Sequence, residues 1–222
     1  MRLPESRPAV LVSLPRNDIG LARAARRGGA DGLKVHVNVE HRASGTAFGA
    51  IAAEREALLD ILDDGLPVGL VVGAGRVDPE EIAKAVPMGF DYFDLYAGDA
   101  PADYVGLCGP VTPMVALGPG DGADTARALV DRGVRALELS TLAPERYGTP
   151  LSLATLARLD AVVRAVDVPV VVPSQHALVA GDVARLGDAG AAAVLLGAVV
   201  LGQAAEEYEA RLRPFVDAVR AR

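Results

Sequence analysis

The chain alternates two kinds of apolar segment, and this constrains its fold more than any other feature. Four segments open on proline, at 8–14, 67–72, 110–117 and 169–172. Four open on glycine, at 29–39, 89–96, 133–140 and 190–196. The two kinds alternate strictly. Successive proline starts lie 59, 43 and 59 residues apart, and successive glycine starts 60, 44 and 57 apart. A strand–helix–strand–helix unit therefore recurs four times. Helical patterns fill the intervals at 18–27, 50–63, 78 onward, 121–132, 153–165, 182–189 and 203–220, with one turn at 101–107. Asn17 or Asp18, Asp78 before Pro79, and Ser152 are the expected N-caps. Eight alternating β and α elements predict an α/β fold: a single closed (β/α)8 TIM barrel with parallel strands, spanning 1–222 as one domain. An open doubly wound sheet is the runner-up, but eight evenly matched units favour closure.

Composition narrows the class of protein. Aromatic residues make up only 4% of the chain, so Ala, Val and Leu must fill the core. A net charge of −7 lacks the basic footprint of a nucleic-acid surface. The longest apolar run, 191–202, is too short to span a bilayer. A lone Cys108 excludes an internal disulfide and a cysteine metal cluster. The apolar run 9–14 is followed by Pro15-Arg16-Asn17-Asp18 rather than a cleavage site, so a cytoplasmic protein is expected. So apolar a barrel is also compatible with a homodimer.

In the second segment, Leu33, Val35 and Val37 alternate with Lys34, His36 and Asn38, the period of a strand. The glycine-led segments can be aligned on their own glycines. Five residues on come Lys34, Asp94, Glu138 and Leu195; seven residues on come His36, Tyr96, Ser140 and Gly197. The intervening positions are Leu33, Val35, Phe93, Leu95, Leu137, Leu139, Val194 and Leu196, all apolar and suited to face helices. The polar set must then face the lumen, with Lys34, Asp94 and Glu138 in one layer and His36, Tyr96 and Ser140 above it. The proline-led segments are apolar on both faces, and pattern does not fix their register.

Three ionisable groups inside a barrel are costly unless paired or hydrated. They form either an ion cluster that plugs the lumen or an active site at the carboxyl ends of the strands. The chain holds 20 Arg but only 2 Lys, yet one lysine stands in mid-strand at Lys34. Lysine, unlike arginine, can shed a proton or form an imine. Lys34, His36, Asp94 and Glu138 are the catalytic candidates. Asn38, Arg42, Tyr96, Ser140 and His176 are candidates for substrate contact. The loop 142–150, with Arg146, Tyr147 and Gly148, is long enough to serve as a lid.

The end of the chain reads Val170-Val171-Val172-Pro173-Ser174-Gln175-His176, then a helix, then an apolar strand ending Leu196-Gly197-Ala198. In this it resembles the ribulose-phosphate-binding barrels, in which loops after strands seven and eight and a short extra helix grip a phosphate. The resemblance implies phosphate contacts from Ser174, Gln175, Gly197 and Ala198, and backbone N–H groups at a helix start attract an anion. Two departures stand out: Pro173-Ser174-Gln175 replaces a glycine pair, and Gly197-Ala198 lacks a hydroxyl.

Together these features predict an enzyme, an isomerase, epimerase or aldolase-type lyase, acting on a phosphorylated carbonyl compound. Glu138 or Asp94 would move a proton next to the carbonyl while Lys34 and His36 stabilise the enolate oxygen. A Schiff base on Lys34 is disfavoured, because the nearby carboxylates hold the amine charged. No cofactor and no metal are expected. One alternative is a metal-dependent phosphosugar epimerase using His36, His176, Asp94 and Glu138, although Lys34 would repel the cation. The other is a non-catalytic barrel, whose sign would be a lumen with no cavity above the charged layer.

Overall fold

A computed structural model describes residues 3–4 and 6–221. Eight parallel strands close into a barrel in chain order. They are β1 (Ala9–Ser13), β2 (Gly32–His36), β3 (Val68–Val71), β4 (Tyr92–Tyr96), β5 (Thr112–Leu117), β6 (Ala136–Leu139), β7 (Val170–Pro173) and β8 (Ala193–Leu196), with β8 pairing back onto β1. Around them run α1 (Ile19–Gly28), α2 (Ile51–Asp63), α3 (Pro79–Ala85), α4 (Tyr104–Leu107), α5 (Ala123–Asp131), α6 (Leu153–Val163), α7 (Ala180–Asp188), α8 (Ala198–Leu201) and α9 (Ala205–Arg220). This is the TIM barrel that the alternation predicts. Among the described residues no helix is long and apolar enough to cross a membrane.

The glycine signature has a local cause. Gly29, Gly89, Gly133 and Gly190 all have φ between 94° and 99°, in the left-handed region. Each follows a helix, where a left-handed residue closes off the last turn and glycine bears no Cβ penalty. The glycine thus ends a helix, and the strand begins three residues later. Helix starts are equally local. Asp18 accepts from the Leu21 amide, Asp78 from Glu80, and Ser152 from Thr155.

Two elements depart from expectation. β2 stops at His36 instead of running to residue 39. Asn17, just after β1, donates to the His36 carbonyl at 2.7 Å and accepts from its amide at 3.3 Å. Asn38 then turns the chain at φ 52°, and residues 40–41 and 46–47 form a small hairpin. The helix expected at 203–220 is α9, beginning at Ala205; the unexpected element is the short α8 ahead of it, set off by Gly202 at φ 72°.

The core has two apolar layers. Leu33, Val35, Phe93, Leu95, Leu137, Leu139, Val194 and Leu196 pack outward against the helices, as their phase predicts. A second cluster fills the floor of the lumen: Ala9, Leu11, Tyr92, Met114, Ala136, Val171, Ala193 and Leu195. Gly69 makes room for the largest of these. A Cβ there would stand 1.9 Å from the Tyr92 ring. Leu11, Met114 and Val171 also settle the register of the proline-led strands, with Ser13, Ala116 and Pro173 each two residues nearer the mouth.

Candidate active site

On this floor stands the charged layer. Lys34 from β2 donates to Asp94 Oδ2 on β4 at 3.0 Å and to Glu138 Oε2 on β6 at 2.5 Å. Asp94 and Glu138 lie 60 and 104 residues beyond Lys34 in sequence, yet none of the three residues is more than 5% exposed. Burial opposes the lysine's charge, but Glu138 and Asp94 outweigh it and hold Lys34 above the ordinary lysine range. Lys34 is therefore an ammonium. An ion pair should lower its carboxylate in turn, and Glu138 does the opposite. Burial pushes it up to about 7, with the Asp94 charge and hydrogen bond assisting against Lys34. Three buried groups carry one positive charge between them, so the second carboxyl is the one that resists ionising.

His36 stands one step nearer the mouth, 2% exposed. Its ring lies 4.6 Å from that of His41 and 5.0 Å from that of Phe48, centroid to centroid. Burial holds His36 well below the ordinary histidine range, with His41 and the Lys34 charge adding to the effect. Burial and Lys34 lower His41 to about 4, and its Nδ1 is paired with Ser44 Oγ. Both rings are thus neutral at physiological pH. Buried His36 Nδ1 has no hydrogen-bond partner among the described residues.

Above the layer opens a cavity of about 590 Å³. Lys34, His36, Asp94 and Glu138 all line it, so the lumen is not plugged by its ion cluster. Arg42, Tyr96, Ser174, Gln175, Gly197 and Ala198 line it too. Several of these already have partners. Tyr96 and Ser140 share a hydrogen bond at 3.1 Å across the β4 and β6 ends. Ser174 Oγ accepts from the Gly197 amide at 2.8 Å. Gln175 Oε1 accepts from the Thr141 and Leu142 amides, and its Nε2 donates to the Tyr147 hydroxyl at 3.2 Å. Gln175 thus braces the loop after β6.

Three expected contacts lie outside the lining, one of them Ser140, whose hydroxyl pairs with Tyr96. His176 does not line the cavity: its Nε2 pairs with Thr155 Oγ1 at 2.9 Å and its Nδ1 with the Thr149 carbonyl at 3.1 Å. It ties β7 to α6. Asn38 is also outside the lining and donates to Glu81 at 3.0 Å, bracing the loop after β2. Among the described residues no group of three or more His, Cys, Asp or Glu side chains is placed to hold a metal ion.

Sequence reasoning missed several residues. Ser13, Asp99 and Asp121 line the cavity. Arg158 on α6 donates to the carbonyls of Gly118, Asp121 and Ser140, clamping the ends of β5 and β6 from behind. Nothing in its helical context signals that role. Ser13 could have been found from the two-residue period of β1 once its register was known.

No protein-family model matches the sequence, and no curated protein matches it. Solved structures do match. A mutant tryptophan synthase alpha-subunit from Pyrococcus furiosus gives a TM-score of 0.75 at 13% identity, covering 95% of this chain and 98% of that one. KGPDC from Streptococcus mutans gives 0.72 at 12% identity, covering 96% and 98%. Thiamine phosphate pyrophosphorylase from Pyrococcus furiosus gives 0.69 at 12% identity, covering 97% and 96%. This chain shares the fold of these proteins over nearly its whole length.

Proposed function

We propose that this chain is an enzyme that moves a proton next to the carbonyl of a small phosphorylated carbonyl compound, as an isomerase, epimerase or aldolase-type lyase. One observation carries the reading: a buried carboxyl, Glu138, held up near pH 7 against an ammonium on the floor of an open cavity. Such a group can exchange a proton in either direction at neutral pH. Lys34 has three N–H donors and spends two on carboxyls, leaving one for a substrate oxygen. His36 is neutral, so it serves as a hydrogen-bond donor to the developing enolate rather than as an acid. The permanent charge on Lys34 speaks against imine chemistry, which needs the free amine. Gly197, Ala198 and Val199 line the cavity at the start of α8; the Gly197 amide is given to Ser174, so the phosphate group falls to the Ala198 and Val199 amides.

The test is hydrogen exchange in D2O across a panel of phosphorylated ketoses and aldoses, followed by proton NMR. A substrate loses the C–H signal next to its carbonyl, and the Glu138→Gln variant slows that loss by about 10²- to 10⁴-fold. The rate rises as pH climbs through about 7, where Glu138 becomes a base. The two cavity histidines are not the source of that limb, since burial lowers His41 to about 4 and His36 well below its ordinary range. Exchange that survives undiminished in Glu138→Gln would overturn the assignment.

A further inference from the structure

The hydrogen bonds around Lys34 do not balance if both carboxyls are ionised. Asp94 gives Oδ2 to Lys34, but its Oδ1 is shielded from solvent and meets no donor. Glu138 gives Oε2 to the same ammonium, so two buried carboxyls share one cation, at 3.0 Å from Asp94 and 2.5 Å from Glu138. Two ionised carboxyls sharing one ammonium would leave one uncompensated negative charge and the Asp94 Oδ1 acceptor orphaned. An orphaned buried acceptor and an uncompensated buried charge are each costly.

We propose that Glu138 rests protonated and donates its O–H to Asp94 Oδ1, so that Asp94 alone balances Lys34. The charges then sum to zero, and every buried oxygen of the pair that faces its neighbour has a partner. Asp94 becomes a positioning residue: it fixes the ammonium and holds the acidic proton of Glu138 in place. The other titratable groups facing Glu138 agree with this. Tyr92 and Tyr96 from β4 and Tyr147 from the loop after β6 are phenols raised by burial, and hence neutral. His36 from β2 is a neutral imidazole. The strands flanking β6 present Ala116 and Val171 beside Glu138, which carry no charge.

This inference deepens the proton-transfer reading, since it names the group that carries the proton, but its test needs no substrate. Glutamine mimics a protonated glutamate, accepting from Lys34 and donating to Asp94. Thermal unfolding of wild type, Glu138→Gln and Asp94→Asn is compared at pH 6 and pH 8. At pH 6 the Glu138→Gln variant unfolds within about 2 °C of wild type, whereas Asp94→Asn falls by at least about 6 °C. The native value of Glu138 lies above its unfolded one, so the stabilisation from its proton is complete below about 4.5 and lost as pH rises through about 7. At pH 8, therefore, Glu138→Gln unfolds at or above the wild-type temperature. A fall of more than about 6 °C for Glu138→Gln at both pH values would overturn the proposal, as would its failure to fold.

A second measurement is independent of Asp94→Asn folding. In wild-type protein labelled with 13C at the glutamate carboxyls, the Glu138 resonance is identified by its absence from Glu138→Gln. A midpoint between about 6 and 8 supports the protonated resting state; a midpoint below about 6 refutes it. Refutation would leave Glu138 as a base and the proposed reaction standing. Failure of the D2O exchange would leave the protonation assignment standing.

Discussion

β2, β4 and β6 send Lys34, Asp94 and Glu138 into one layer of the lumen. The alternate strands β1, β3, β5 and β7 supply Leu11 and Ser13, Gly69 and Val71, Met114 and Ala116, and Val171 and Pro173. None of these carries a charge. The two sets divide the work. Long polar side chains from the even-numbered strands can meet across the axis because the odd-numbered strands offer small or apolar groups between them. Barrel interiors are layered by alternate strands, so such a division is available to the fold. Here β8 breaks the even set with Leu195, which belongs to the apolar floor. The charged layer therefore has an apolar member on the β8 side, next to Gly197 and α8.

Removing the central cation should have the largest effect. Lys34→Met leaves two carboxyls in a buried layer without their ammonium, a change that costs about 3–5 kcal/mol when a buried pair is broken. Urea unfolding should show that loss, and substrate exchange should fall by at least about 10³-fold. A stable, active Lys34→Met protein would break the comparison, because the even strands would then be no more critical than the odd ones.

The odd strands are tested through the room they leave. Gly69→Ala forces a methyl into the Tyr92 ring and should destabilise by about 1–3 kcal/mol, the usual cost of overpacking. Adding Tyr92→Leu should return part of that loss, a non-additive pair in a double-mutant cycle. Additivity within about 0.5 kcal/mol would show that Gly69 is not there to seat the ring. The smallest effect is expected at Ser13, which lines the cavity from β1. Ser13→Ala should change the exchange rate by less than about 3-fold, below the share of a working acid or base. A loss of 10²-fold would place an odd-strand residue in the chemistry and redraw the division.

Much of this arrangement was legible in the sequence, for a specific reason. The two-residue period of a strand and the left-handed turn after a helix are local properties, so aligning segments on Gly29, Gly89, Gly133 and Gly190 recovers the true phase of the even strands. That phase places Lys34, Asp94 and Glu138 together although the chain separates them widely. The odd strands gave no such signal: apolar on both faces, they acquire an inside only when the barrel closes. His176 shows the other limit. A histidine just past the end of a barrel strand reads as a candidate ligand group, yet Thr155 and the Thr149 carbonyl occupy both ring nitrogens.

The alternation of elements, the closure they imply and the lumen-facing residues of the even-numbered strands are all written locally in the chain. Each follows from side-chain periodicity and backbone conformation within a few residues. Which polar groups are already spent emerges only from the packed barrel. Ser174 is committed to Gly197, Gln175 to Thr141 and Leu142, and Asn38 to Glu81, while Asp94 keeps one oxygen without a donor. Hydrogen-bond partners come from whichever element packs alongside, so their assignment exists only once the chain has closed on itself.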